Sequence, residues 1–340
     1  MNAREVKRLV NISAVGAAVI AGLAIAGPPN NNGNGNGNGN NNGGSDNNSR
    51  VHNGRYWVDL PEYSSDDPYG SSPNYITIEG VVRDFRERHI PGGHPDFELR
   101  PADGYGHYMG MVADELDDDG KPVFASTGYK VTSSARDAQG NPTIGAKPYI
   151  APRLGDVPVI RSSSQGGACT GTDELAQWFR NTAGVNMSEN FPITLVRDPG
   201  TNRYVFDDRL MTHFANMQGF FIVNDRGYGN SRGGNKNFHY TFELATSFTY
   251  EEGAGQVFTF NGDDDVWVYI DGKLVIDIGG VHTRVTQTID LDRLEWLEDG
   301  EDYELRFFFA ERHRTQSNFR IETTINLREI TMPQSSAVYD

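Results

Sequence analysis

From Phe191 onward the chain is composed of short alternating runs, and this pattern leaves little choice of architecture. Residues 238–244 and 256–260 alternate at a period of two, and 266–270, 274–278, 303–309 and 319–327 add β-branched and aromatic runs of similar length. Successive side chains of a strand point to opposite faces, so such runs fit half-buried strands better than helices. Gly and Asp clusters separate them, as turns between antiparallel neighbours require. Residues 193–196 and 203–206 flank Asp198-Pro199-Gly200-Thr201-Asn202, which reads as a hairpin loop. Earlier, 75–82 reads as a first strand. Residues 173–180 read as a short helix, capped by Thr172 or Asp173 and anchored by Trp178 and Phe179. Residues 291–297 read as a second helix. The expected fold is mainly β: an antiparallel β-sandwich with long loops, notably over 113–165, and one or two short helices.

The N-terminal part reads as address and tether. Arg4, Lys7 and Arg8 precede an apolar, small-residue run that ends Ala24-Ile25-Ala26-Gly27-Pro28, the small-x-small form of a cleavage site. Residues 1–26 are therefore expected to be a signal peptide or, if uncleaved, an N-terminal anchor, the one route to a membrane. Residues 27–55 read as an Asn/Gly-rich linker, because 30–49 hold no apolar side chain to offset the entropy of ordering. Residues 56–330 then form a single domain and 331–340 a tail. Both fates of the leader put the domain outside the cytoplasm, secreted or at the cell surface. The single cysteine, Cys169, excludes an intrachain disulfide and a zinc site made of several thiolates. It reads as a buried thiol, with a disulfide between chains as the alternative. A formal net charge of −16 repels phosphate backbones, so nucleic acid is not an expected partner, whereas divalent cations are attracted.

The most informative segment runs from Phe260 to His282. Two apolar runs are joined by Asp271-Gly272, a strong hairpin signal. Val266, Val268 and Ile270 would face one side, Trp267 and Tyr269 the other. Three consecutive carboxylates, Asp263, Asp264 and Asp265, precede the first strand. Read alone they are either a solvated acidic turn or a loop whose mutual repulsion a hard cation relieves, and calcium tolerates irregular carboxylate geometry best. The second strand ends on Asp277 and Gly279-Gly280-Val281-His282, which hairpin pairing returns to the neighbourhood of the three Asp. A metal site among His89, His94, Asp96 and Glu98 fits no standard zinc spacing, and an ordinary polar loop is the alternative.

The 260–282 segment resembles the signature of the fibro-slime domain, a family related to the protective-antigen-type, lectin-like β-sandwich. Phe308-Phe309-Ala310-Glu311-Arg312-His313, the run 317–323, and the stretches 75–85, 178–186 and 237–250 extend the likeness over about residues 74–328. In the related adhesin sandwiches two consecutive Asp joined by a cis peptide hold a calcium ion that helps bind a sugar. Asp263-Asp264 occupies the corresponding place, with Asp265 where those relatives often carry Gly or Ser. The resemblance thus implies calcium as cofactor, with Asp263, Asp264, Asp265 and Asp277 as the metal set. It implies a carbohydrate or matrix polysaccharide as partner, with Tyr228, His282, Trp267 and Tyr269 as candidate ligand contacts. Glu311 reads by default as an ion pair with Arg312 or Arg314.

Three function classes follow. The first is an exported calcium-dependent binding module for carbohydrate, in cell-surface adhesion or extracellular matrix. The second is a structural surface or fibre subunit in which calcium serves stability alone. The third is a glycoside hydrolase, for which the sequence supplies no acid–base pair at a readable separation and no nucleophile elbow.

Overall fold

The computed structural model describes residues 50–330. The expected signal peptide, most of the expected linker and the expected 331–340 tail lie outside the described residues. Regular structure begins inside the stretch assigned to the linker: Arg50–His52 pairs antiparallel with Trp57–Asp59. Val51, Tyr56 and Val58 pack into the core there, supplying the apolar surface that 30–49 lack.

Ten strands carry the architecture: β1 (Tyr75–Phe85), β2 (Asn186–Arg197), β3 (Tyr204–Asp207), β4 (Tyr240–Thr249), β5 (Val257–Asp263), β6 (Asp265–Ile270), β7 (Lys273–Ile278), β8 (Val285–Asp290), β9 (Asp302–Glu311) and β10 (Asn318–Thr323). Their spatial order is β7-β6-β9-β4-β1-β2-β3-β10-β5-β8, and Arg328–Glu329 adds a short strand on β4. Every pairing is antiparallel. The sheet folds over on itself. Phe242 of β4 and Phe307 and Phe309 of β9 meet Phe260 of β5 and Phe319 of β10, with centroids 5.2–6.3 Å apart. One sheet thus supplies both layers of a sandwich, and edge-to-face aromatic pairs, each worth about 0.5–1.5 kcal/mol beyond area burial, hold the layers together.

The two ends of this path come together through a side chain. Gln287 of β8 accepts from the Asp277 N–H (2.9 Å) and donates to the Asp277 carbonyl (3.0 Å), as a paired strand residue would. Gln287→Ala would leave the buried Asp277 N–H without a partner, while the Asp277 carbonyl keeps the His107 Nε2 contact at 3.1 Å. It is expected to lower unfolding free energy by about 1–3 kcal/mol, read as a reduced urea midpoint.

The hairpin between β6 and β7 forms as its sequence requires. Asp271 (φ 48°) and Gly272 (φ 75°) both lie in the left-handed region, the geometry of the tightest hairpin turns. All of β6 is buried, on both faces. Its outer face is roofed by the helix α1 (Thr172–Trp178), whose Trp178 lies 5.9 Å from Trp267. The loop at Ala113, whose carbonyl accepts from Tyr269 Oη at 3.0 Å, roofs the rest. The N-cap of α1 is Gly171 and makes no side-chain cap bond, so neither Thr172 nor Asp173 has the expected role.

The expected 291–297 helix shrinks to a single 3-10 turn, Leu291–Arg293. Leu291 N–H bonds the Gln256 carbonyl and Leu294 bridges Ile150, so tertiary partners draw the segment out and bury Leu291, Leu294 and Leu297 without a helix. A helix the sequence did not suggest, α2 (Thr212–Met217), forms instead and stops at Gln218, which is left-handed at φ 59°. Cys169 is a buried thiol, and burial pushes its pKa up. Asp96 accepts from Thr170 N–H and Trp178 Nε1, so this residue of the His89–Glu98 stretch ties a loop to α1.

Candidate functional site

The three aspartates mark the place where the chain crosses from one layer to the other. Asp263 ends β5 and pairs with Asn318 of β10, whereas Asp265 opens β6 and pairs with Ala310 of β9. The Asp263–Asp264 peptide between them is cis. Gly262 just before the crossing must be glycine, since a Cβ there would lie 2.2 Å from the Asn318 carbonyl oxygen. All three carboxylates are buried, at 2%, 4% and 0% exposure.

Each has a different environment. Asp263 accepts from Asn318 N–H (2.7 Å) and Nδ2 (2.6 Å). Asp264 accepts from the backbone N–H groups of His282 (3.1 Å) and Arg312 (3.3 Å). Asp265 is held by the Arg312 guanidinium, Nε to Oδ2 at 2.6 Å and Nη2 to Oδ1 at 3.1 Å, and by Gly280 N–H. Gly280 sits at φ 88° with Tyr108 against it, which only glycine accommodates. The Gly279–His282 turn therefore lies over the Asp crossing, where the hairpin was expected to return it.

A fourth buried carboxylate joins this cluster from β9. Glu311 has 0% exposure, its Oε2 has no hydrogen-bond partner, and the expected ion pair with Arg312 or Arg314 is not formed. Arg312 goes to Asp265, and Arg314 goes to Glu87 and Glu98. Burial, then repulsion from Asp264 and Asp263, holds Glu311 well above the usual carboxylate range. Burial, then Asp265 and Asp263, does the same to Asp264. Among the described residues no Lys, Arg or His lies within ion-pair distance of Asp263, Asp264 or Glu311. These oxygens, one of them without a partner, are the hard donors a divalent cation of the calcium class takes, although among the described residues the three side chains do not bring one oxygen each within 4.8 Å of the others.

The remaining expected site residues fall elsewhere. Asp265 is neutralised by Arg312, so it is not a spare ligand. Asp277 has both oxygens engaged, Oδ1 by Trp267 Nε1 (3.2 Å) and Oδ2 by Gly110 N–H (2.8 Å), and it pins the covering loop to β7. Trp267 and Tyr269 are fully buried under α1 and the 113 loop, so they are core residues and not ligand platforms. His282 reaches the cluster through its backbone. Its ring packs edge-on to His107 at 5.9 Å, and burial pushes its pKa down to about 3, so the imidazole is neutral.

Tyr228 lies under the Arg86 guanidinium at 3.7 Å and donates its N–H to Asp84. Asp84 pairs with Tyr240, which pairs with Glu311. Its anchor is thus three strand spacings from β6, about 14 Å. Asp84 itself is buried, which pushes its pKa up to about 7. A raised carboxyl pKa favours the folded state only while the group is protonated. Its contribution is therefore lost as pH rises from the unfolded value near 4 through about 7. Asp84→Asn is expected to flatten stability between pH 5.5 and 8 by about 2 kcal/mol, read as unfolding midpoints across that range; an unchanged slope refutes it.

A separate cavity of about 380 Å³ is lined by Trp57, Leu60, Val205 and Met211, together with Asp59, Asp198 and Asp207. Each of these carboxylates is held by an arginine: Arg50, Arg203 and Arg320 respectively.

Comparison with known proteins agrees with this architecture in part of the chain. Residues 223–336, which include the Asp crossing, match the family described as the PA14 domain. Among curated proteins of Dictyostelium discoideum, Protein psiQ is 40% identical over 163 residues, 44% of this chain and 15% of the relative. Protein psiR is 30% identical over 261 residues, 75% of this chain and 22% of the relative. Protein psiD is 31% identical over 238 residues, 68% and 38% respectively. The chain therefore spans only 15–38% of the length of these relatives. Among solved structures, the PA14 domain of the MpAFP antifreeze protein matches at 12% identity and a TM-score of 0.21, over 30% of this chain and 59% of that one. A β-glucosidase from Kluyveromyces marxianus in complex with glucose matches at 14% identity and a TM-score of 0.19, over 25% and 11%.

Proposed function

We propose that this chain is an exported binding module of the fibro-slime type, in which calcium at the layer crossing supports recognition of a carbohydrate at the cell surface or in the extracellular matrix. The observation that carries the reading is the group Asp263, Asp264 and Glu311: three buried carboxylates with no Lys, Arg or His at ion-pair distance among the described residues, and one oxygen, Glu311 Oε2, without a hydrogen-bond partner. Asp263, Asp264 and Glu311 would hold the ion, and Asn318 and the His282 backbone would orient them. Calcium would supply charge compensation and a fixed oxygen geometry. The PA14 match over this segment supports a lectin-like module.

The depth of the cluster favours a second reading. With each carboxylate at or below 4% exposure, the ion could serve only to stiffen a structural surface or fibre subunit. A glycan array probed in calcium and again in chelator separates the two. Calcium-dependent capture by particular glycans supports the binding module. No glycan capture, together with calcium-dependent self-association in sedimentation, supports the structural subunit and overturns carbohydrate recognition.

A further inference from the structure

A second group of ligand-type side chains converges beside the Asp crossing, where His313 N–H faces Glu311 Oε1 at 3.4 Å, and draws on side chains the crossing does not use. Glu87 follows β1, Glu98 lies in the next loop, His239 immediately precedes β4 and His313 follows β9. One donor atom from each of Glu87, Glu98 and His239 lies within 4.8 Å of the others. Glu98 Oε1 faces His239 Nε2 at 2.9 Å, and its Oε2 faces His313 Nδ1 at 2.8 Å. Glu87 Oε2 stands 4.0 Å from His239 Nε2. Glu87 is only 3% exposed, yet its Oε1 has no hydrogen-bond partner, an arrangement that is costly unless a cation completes it.

Two further features are those of a built site. The other nitrogen of His239, Nδ1, lies 3.2 Å from Ser231 Oγ, the kind of contact that fixes the orientation of a metal-binding imidazole from behind. Glu98 is a non-glycine residue held at φ 73°, a conformation that costs free energy and that the surrounding contacts must impose. The resident counter-charge is Arg314, which contacts Glu87 and lies 3.3 Å from Glu98 Oε1. Its side chain is 37% exposed and also donates to the Arg232 carbonyl at 2.7 Å, an outward partner that remains when the carboxylates are taken by an ion.

We infer that Glu87, Glu98 and His239, with His313 at the mouth, form a site for a divalent transition metal of the zinc class, separate from the Asp crossing. Two carboxylates and two imidazoles make a four-membered nitrogen and oxygen donor set, which suits zinc and not calcium or magnesium. Arg314 is then the group that the ion displaces. This inference does not depend on the calcium reading, because the two sites share no side chain.

The test is titration of the chelator-stripped full chain with zinc chloride against a chromogenic competitor. One equivalent is expected to bind. Glu87→Gln and His239→Gln should each weaken affinity by at least about tenfold, as should His313→Gln, whose partly exposed ring can be changed without disturbing the core. Arg314→Ala should tighten zinc binding by removing the competing guanidinium, a gain that a purely structural salt bridge would not give. Asp264→Asn should leave zinc affinity unchanged. Near-UV circular dichroism confirms the fold of each variant. Absence of zinc uptake overturns the inference. So does uptake indifferent to His313→Gln and Arg314→Ala, or uptake lost in Asp264→Asn alone.

Discussion

Millimolar calcium added to chelator-treated protein is expected to raise the thermal unfolding midpoint by about 5–10 °C. A ligand bound only by the native state stabilises by about 2.7 kcal/mol at a hundredfold excess over Kd. Each kcal/mol moves the midpoint of a domain of this size by roughly 2–4 °C. Asp264→Ala should abolish the response, and relief of repulsion with Asp263, Asp265 and Glu311 should offset the loss of its two backbone N–H contacts, leaving the metal-free baseline little changed. Asp263→Ala should also abolish it but lower the baseline, because Asn318 loses two hydrogen bonds. Asp277→Ala should keep the calcium response and lose stability for a different reason, the release of Gly110 and Trp267. Magnesium should act weakly, since it demands a tighter octahedral shell. Calorimetric titration decides: no heat and no midpoint shift with calcium would end the metal reading.

Arg312→Ala is expected to destabilise the domain by about 3–5 kcal/mol, because it leaves Asp265 as an uncompensated charge with no exposure. The guanidinium also donates to the carbonyls of Asp96 (3.2 Å) and Ala168 (3.1 Å) and stacks over Trp178 at 4.8 Å, so three segments lose a shared anchor. Arg312→Lys should recover little, since an ammonium cannot reproduce the planar fork. The double variant Arg312→Met with Asp265→Leu should recover part of the loss, because it removes the uncompensated charge but still leaves the Asp96 and Ala168 carbonyls and the Gly280 N–H without these partners. Urea denaturation of the four proteins tests this. A single variant within 1 kcal/mol of the parent would show that Asp265 is compensated by other means.

Much of the β framework was legible in the sequence because strands state their period locally. The turn at Asp271-Gly272 and the run of β6 needed no tertiary information. What faced outward was not legible. Trp267 and Tyr269 alternate as if on a solvent face, and only the distant α1 and the 113 loop show that this face is roofed. The partner of each charge was also hidden. Arg312 adjoins Glu311 in sequence, but strand geometry sends consecutive side chains to opposite sides, so Arg312 meets Asp265 and Glu311 is left with Asp263 and Asp264. Alternation at the end of β9 was a signal that could have separated them. The role of Gln287 had no sequence signal, because an amide that stands in for backbone looks like any surface polar residue.

The closure made by Gln287 bears on how copies of this domain could associate. An outermost strand with free N–H and C=O groups is a template for a strand donated by another molecule. On β7 that rail is already occupied. Leu274 N–H bonds the Asp114 carbonyl, the Leu274 carbonyl accepts from Tyr149 Oη, Asp277 is filled by Gln287, and Gly279 is bridged to Tyr108. Polymerisation by strand addition at β7 would first have to strip away these intramolecular partners, so this end of the sheet is closed to a donated strand.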